Sequence, residues 1–202
     1  VGVDITDHER LVLSRDLQRG AGANWGVSSA IAASGRGYRA VVYNSLLYVL
    51  TFSDNTAESR LWRYDVGTDG WTRITSLDGM NVAARSVSVY DGKFFVGGSA
   101  VGTNTGRLIY GSGALGSWTV VTNPSGLSAT SMVSALRSFQ QKLYVAYAYR
   151  IFRMKDDQTW DGNTVFYKAN SSSESNGITS MEVHLGFLYM LSFNGHVHRT
   201  DG

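Results

Sequence analysis

Four arginines recur at similar intervals along this chain of 202 residues, and arginine is a residue type suited to holding a carboxylate. Each opens a short apolar run: Arg10, Arg60, Arg107 and Arg150. A guanidinium can form two parallel hydrogen bonds to one carboxylate, so several arginines around a point would form an anion site. Alternatively, their stems cover neighbouring strands while their charged heads pair with turn acids such as Asp65 and Asp156. We keep the four as candidate ligand-binding residues and favour the structural role.

His196 and His198 are two residues apart, and together with His184 they are the candidates for holding a metal ion. Residues i and i+2 of a strand project from the same face, which is a workable spacing for two imidazole ligands. The chain has no cysteine, and the pattern fixes no carboxylate beside the pair. We therefore predict no metal site, keep the three histidines as weak candidates, and favour partly exposed strand positions for them.

Carboxylates, which glycosidases use in pairs, fall in predicted turns at Asp65/Asp69, Asp156/Asp157 and Glu174. We interpret these acids as solvent-exposed charges in loops, so we assign no catalytic residue. The segment GSGALG (111–116) matches G-x-G-x-x-G, but the strand-like WTVV follows it where a dinucleotide site requires a helix. We interpret this segment as a turn between antiparallel strands and predict no cofactor.

Composition excludes several classes of partner. The net charge is only +2 and no run of five basic residues occurs, so we predict no nucleic-acid partner. No apolar run approaches the roughly 20 residues of a membrane helix, so we predict no membrane insertion. The apolar fraction of 43% with 12% aromatic residues is typical of a folded domain.

The elements that would position these residues are repeated strands. Four segments align with aromatic anchors 47, 49 and 45 residues apart: SLLYVL (45–50), GKFFVG (92–97), QKLYVA (141–146) and GFLYML (186–191). A third strand follows each one: RLWRY (60–64), RLIYG (107–111), RIFRM (150–154) and HVHRT (196–200). A fourth carries tryptophan, which recurs at Trp25, Trp71, Trp118 and Trp160. Each aligned segment also follows a short strand and a two-residue turn, of which Asp91-Gly92 is the strongest hairpin signal.

Four short strands per ~45 residues is the period of a β-propeller blade. We predict an all-β fold, a propeller-like array of four-stranded antiparallel blades in one domain spanning 1–202. The predicted blades are a partial one at 10–32, full ones at 36–80, 81–127 and 128–176, and a partial one at 177–202. Residues 10–32 could complete the last unit in a ring of about four blades. Alternatively, the chain is a fragment of a larger propeller, and the sequence leaves both possibilities open.

The repeat resembles kelch-type propellers, and more loosely those with Asp-box turns. The kelch-like residues are Tyr64-Asp65 followed by Trp71, and the pair Gly97-Gly98. The stretch from Ser112 to Trp118 resembles an Asp box, with Ala114 where the aspartate belongs. The resemblance implies a propeller fold, and Asp-box turns are structural features that carry no activity.

The repeated aromatic residues are interpreted as packing between blades, because rings at equivalent positions supply the bulk that blade contacts need. Tyrosines in predicted loops, outside that series, are better candidates for a binding surface, and these are Tyr38, Tyr147 and Tyr149.

These patterns favour a non-enzymatic binding or assembly module that recognises a protein or a glycan. It could belong to a larger chain or oligomer, such as a microbial or phage structural assembly, which would place it outside the cell or in a virion. The alternative is a glycan-active enzyme of sialidase or glycosidase type, since a triad of arginines grips a carboxylate in sialidases. An enzyme must bring acids, or a tyrosine, an acid and arginines, into one pocket, and that convergence discriminates the two.

Overall fold

The computed structural model describes residues 36–52, 59–68, 70–125, 127, 131–156, 158–161, 166–167 and 177–202. These residues form strands and one short 3₁₀ helix, Thr75–Met80. The first eight strands are β1 Arg36–Tyr43, β2 Leu46–Phe52, β3 Ser59–Asp65, β4 Gly70–Arg73, β5 Val82–Tyr90, β6 Lys93–Ala100, β7 Gly106–Gly111 and β8 Trp118–Val120. The other seven are β9 Val133–Phe139, β10 Lys142–Tyr147, β11 Arg150–Met154, β12 Phe166–Tyr167, β13 Ile178–His184, β14 Phe187–Ser192 and β15 Val197–Thr200. No helix among the described residues has the length and apolar character that a bilayer crossing requires.

The strands form four antiparallel sheets in chain order, here called blades 1 to 4: β1–β4, β5–β8, β9–β12 and β13–β15. The predicted all-β fold of antiparallel blades is therefore confirmed, and among the described residues blades 1 to 3 have four strands each and blade 4 has three. The first two strands of every blade are joined by a two-residue turn with positive φ at both positions, the geometry of a type I′ hairpin. These turns are Asn44-Ser45, Asp91-Gly92, Gln140-Gln141 and Leu185-Gly186. The predicted partial blade at 10–32 lies outside the described residues, and the predicted blade boundaries stay predictions.

The first strands of consecutive blades lie side by side: β1 packs on β5, β5 on β9, and β9 on β13. The strands β13 and β1 do not pack on each other in this way, so the described blades form an open series. Each first strand also has a register shift near its start, for example between Ala84 and Ser86 in β5. The repeat seen in the sequence is therefore also a repeat in backbone geometry.

Strand alternation divides the apolar residues between the two faces of each blade. We call the face toward the following blade the leading face and the opposite one the trailing face. In β10, Leu143 and Val145 belong to the core shared with blade 2, whereas Tyr144 and Ala146 belong to the core shared with blade 4. Successive side chains of a strand point to opposite sides, so one strand serves two cores. Three such cores join blades 1 and 2, 2 and 3, and 3 and 4.

The tryptophans occupy one structural position. Trp71 pairs with Tyr64, Trp118 with Gly111, and Trp160 with Met154, which are equivalent third-strand residues. The indole N–H of Trp118 donates to the Ser76 hydroxyl at 3.0 Å. That of Trp160 donates to the Thr122 carbonyl at 2.7 Å. Both bonds reach back to the segment that follows the preceding blade, so each tryptophan ties one blade to the previous one. Trp25 lies outside the described residues.

The double glycine of β6 is explained by close packing. A Cβ on Gly97 would lie 2.4 Å from Val133 Cγ1 of blade 3, and one on Gly98 would lie 2.0 Å from the Ala83 carbonyl oxygen. Real Cβ contacts are never that short, so both positions exclude a side chain. Gly98 is the stricter case because its neighbour is backbone, which cannot rotate away.

Replacing Gly98 with alanine should therefore destabilise the protein, whereas the exposed Gly116 offers a matched control with open space around it. We expect Gly98→Ala to lower the free energy of unfolding by about 1–3 kcal/mol, because the strands must separate to admit the methyl group. Gly116→Ala should leave it unchanged or raise it by about 0.5 kcal/mol through the unfolded state. Urea denaturation followed by tryptophan fluorescence measures both. Equal midpoints for the two variants would contradict the packing argument.

Candidate functional site: a groove between blades 2 and 3

An open groove of about 370 Å³ lies where the outer strand of blade 2 meets blade 3. That volume falls at the small end of the range typical of ligand pockets, about 300–1,000 Å³. Its lining residues are Tyr110, Thr119, Val120, Val121, Thr122, Gln158, Thr159 and Trp160. Cross-strand pairing of Tyr110 with Thr119 places these two side chains on the same leading face of blade 2.

The blade 3 wall of the groove is held rigidly by Trp160. Besides its hydrogen bond to Thr122, the indole contacts Tyr147 and Phe152 edge-on at centroid distances of 5.9 Å each. Val121, on the blade 2 side, belongs to the same core as Phe152. The wall is therefore an extension of the core between blades 2 and 3, and its shape is fixed by packing.

The blade 2 wall presents the ring of Tyr110. This ring lies 5.5 Å from that of Phe95, and the Lys93 ammonium is 6.0 Å from its centroid. Lys93 is itself paired with Asp91 at 2.8 Å. The groove thus combines aromatic walls with hydroxyl and amide groups, and among the described residues that line it none is an acid, a lysine, an arginine or a histidine. It can stack on and hydrogen-bond to a neutral ligand.

The carboxylates with described partners are dispersed over the molecule. Four are held by ion pairs at separate places: Asp78 with Arg73, Asp91 with Lys93, Asp161 with Arg153, and Glu182 with Arg137. A fifth, Asp156, accepts a hydrogen bond from the Tyr90 phenol. These pairs are partly exposed and contribute little stability individually. Among the described residues that line the groove between blades 2 and 3 there is no pair of acids, which glycoside hydrolysis requires.

The periodic arginines occupy equivalent positions, as the repeat predicts. Arg60, Arg107 and Arg150 lie at the beginning of the third strands, are partly buried, and stand opposite the last part of each second strand. The guanidinium of Arg150 lies 5.7 Å from the ring of Tyr149. Arg10 lies outside the described residues. None of the three lines the groove, and a ligand-binding role for these arginines stays a prediction.

Among the tyrosines proposed for a binding surface, the prediction for Tyr147 is wrong. Tyr147 is the last residue of β10 and is fully buried, and its hydroxyl donates to Asn123 Oδ1 at 3.1 Å. Continuing the alternation of Leu143 and Val145 by one step places its ring in the same core, and Gly106 leaves space for it. That continued alternation was the signal that the loop interpretation missed.

The other two tyrosines differ from it and from each other. Tyr149 is partly buried in the turn between β10 and β11. Tyr38 lies within β1, at its register shift, so it belongs to a strand and not to a loop. Tyr149 is not among the described residues that line the groove.

The three histidines all belong to blade 4. His184 ends β13, with its ring 6.3 Å from that of Tyr189, and the rings of His196 and His198 are also 6.3 Å apart. His196 precedes β15, whereas His198 pairs with Met190. In the described ranges, no group of three His, Cys, Asp or Glu residues could hold a metal ion. Lack of a metal site stays a prediction for the chain as a whole.

The groove itself was missed by sequence reasoning, because its residues come from two blades and are of common types. GSGALG, by contrast, forms the predicted turn between the antiparallel strands β7 and β8. Within it the buried Leu115 has φ of 56° and enters the core between blades 1 and 2, another role the sequence did not indicate.

Comparison with solved structures identifies the architecture. The luciferin-regenerating enzyme is similar with a TM-score of 0.61 at 14% identity, over 87% of this chain and 64% of that one. YCF48 from Cyanidioschyzon merolae gives 0.51 at 12% identity, over 83% and 54%. Sqt1 from Chaetomium thermophilum gives 0.53 at 14% identity, over 82% and 45%. The chain has a β-propeller fold.

The chain spans less than two thirds of the length of each of these three propellers. At identities this low, the likeness shows the fold alone. No protein-family model matches the chain, and no curated protein matches it in sequence.

Burial raises the pKa of the Tyr147 phenol well above its usual value near 10. In the unfolded chain this phenol ionises near pH 10, whereas in the folded protein it stays protonated. Above about pH 10 the unfolded state therefore binds fewer protons, and the free energy of unfolding falls by up to about 1.4 kcal/mol per pH unit from this residue.

Tyr147→Phe should cost about 1 kcal/mol near neutral pH, because Asn123 Oδ1 loses its donor. That deficit should shrink and reverse as the pH rises above about 10. Tyr149→Phe, in the neighbouring turn, is the control and should follow the wild-type slope. Urea denaturation at pH values from 8 to 11 measures the three profiles, and parallel slopes for all three would refute the assignment.

Proposed function

We propose that this protein is a non-enzymatic propeller module that binds a protein or glycan partner, and that it forms part of a larger microbial or phage assembly. The observation that carries the proposal is the lining of the groove between blades 2 and 3, where the described residues supply aromatic, hydroxyl and amide groups and no carboxylate, imidazole, amine or guanidinium. Such a surface recognises a neutral ligand by stacking and hydrogen bonding.

Rigid walls support this role. Trp160 and Val121 are fixed by the core between the two blades, so the groove needs little ordering on binding. The kelch-like pattern proposed for the repeat fits the same purpose, since its glycine pair and tryptophans serve packing between blades. Binding residues are then free to vary at the rim, as loops and edges do on other rigid scaffolds.

Thr119→Val tests the groove directly, because it removes one exposed hydroxyl and keeps the shape of the side chain. The matched control is Thr72→Val, since Thr72 occupies the equivalent position on blade 1, outside the groove. A glycan array of neutral oligosaccharides would find the ligand, and calorimetric titration of the strongest hit would compare the variants. We expect Thr119→Val to weaken binding about 2–10-fold, the value of one neutral hydrogen bond, and Thr72→Val to have no effect.

Equal losses in both threonine variants would place binding elsewhere. A blank array would move the proposal from glycan to protein recognition, which affinity capture with wild-type and Thr119→Val proteins would then compare.

The alternative function, a glycan-active enzyme of sialidase or glycosidase type, requires acids to converge on one pocket. The dispersed ion pairs of the described carboxylates support the non-enzymatic proposal instead. We expect no release of chromophore from aryl glycosides or aryl sialosides over a day at micromolar protein. Turnover that survives purification and disappears on Asp156→Asn or Glu182→Gln substitution would support the enzyme.

A further inference from the structure

Blade 4 exposes a face that every other blade buries. On the third strand, the leading face carries Leu61, Leu108 and Ile151 in blades 1 to 3, and each is 0% exposed. Val197 holds the equivalent position in blade 4 and is 63% exposed. Val197 is apolar like its three equivalents, but no described residue covers it as they are covered.

The second strand repeats the contrast. Leu50 of blade 1 is fully buried, whereas its equivalent in blade 4, Leu191, is 42% exposed. Leu191 pairs with Val197 across the sheet, so both belong to one surface. Tyr189 lies two residues away on the same side, at the position of the buried Tyr48. A contiguous apolar surface of this kind marks an interaction site.

The trailing face of blade 1 lies at the opposite end of the series. In the other blades, the trailing face packs against the leading face of the preceding blade. Val89 and Val183 pack into cores from the trailing faces of blades 2 and 4. Their equivalent in blade 1, Val42, is 57% exposed. Leu47 and Val49 follow on the same face, and both are only partly buried, whereas the equivalent Phe94 and Val96 of blade 2 are fully buried.

We propose that the leading face of blade 4 docks on the trailing face of blade 1 of a second copy of this chain. The contact continues the blade-to-blade packing that already occurs three times within one copy, with the same residue classes on both sides. Two such contacts related by a twofold axis join the open ends into a ring of eight blades. Head-to-tail contacts close into rings when the rotation fits, and propellers of up to eight blades are known. This assembly is independent of the groove and of its ligand.

The test is the mass of the 202-residue protein in solution, by native mass spectrometry and light scattering, for wild type and charge variants. Wild type should have twice the mass of one chain. Val197→Asp should raise the dimer dissociation constant at least about 100-fold, because an unpaired carboxylate would be buried in the contact. Val66→Asp is the control: Val66 is 78% exposed in the turn between β3 and β4, away from both faces, and its variant should remain dimeric.

Val42→Asp separates a second copy from other occupants of the blade 4 face. A second copy uses both faces, so Val42→Asp should dissociate the dimer as Val197→Asp does. A different partner bound to blade 4 would be indifferent to Val42. Circular dichroism must show that both variants retain their β-sheet signal. We expect both to fold, because Val42 and Val197 are exposed in a single copy.

Three results would overturn the proposal. One is a folded wild-type monomer in which Val197→Asp lowers the melting temperature by several degrees, which would assign the cover to another segment of the same chain. Another is a folded monomer whose stability Val197→Asp leaves unchanged. The third is a dimer that survives both Val42→Asp and Val197→Asp.

Discussion

Face-to-face packing of one blade on the next is the interaction on which this structure depends. A single sheet of four short strands cannot bury its apolar side chains alone, because they point to both sides. In β10, Leu143 faces the preceding blade and Tyr144 the following one, so a sheet of this kind buries both of its apolar faces only when it lies between two neighbours. Hairpin turns, glycines and tryptophans all serve that contact. The Tyr43 hydroxyl reaches the Gly92 carbonyl of blade 2, and Tyr90 reaches that of Gln141 in blade 3, both at 3.0 Å.

This dependence explains how far the sequence could predict the fold. A contact that recurs three times with one geometry constrains the same positions each time, so the pattern around Tyr48 and Phe95 returns in every repeat. Strand type and the repetition of antiparallel blades follow from that period, whereas the sequence left the number of blades in a closed ring open. The local signal at Asp91-Gly92 predicted the turn, whereas Gly97-Gly98 was interpreted only as a kelch-like pair and its close packing is a finding of the structure. Tyr147 was misjudged because it was assigned to a loop outside the repeated aromatic series, although its place in the alternation indicated a core.

The candidate site could not be predicted in the same way. Its walls come from residues near 119 and near 159, which lie on different blades and meet only because those blades pack. A repeat fixes what is common to all blades, whereas a groove depends on what differs between them. Threonine and glutamine carry no sequence signal of their own, and the described acids and histidines form no group of three that could hold a metal ion. Function in such a fold is therefore read from differences between blades.

The same logic applies to the ends of the series. An array of stacked repeats always has one leading face and one trailing face without a neighbour of its own. Linear repeat proteins commonly give their terminal repeats a polar outer surface, which keeps the ends soluble. Blade 4 instead retains Leu191 and Val197 on its open side, and blade 1 retains Val42. An apolar end face that is exposed to water is unfavourable, because its burial would lower the free energy. Propellers bury such faces by closing into a ring. The proposed contact with a second copy would cover both of these end faces.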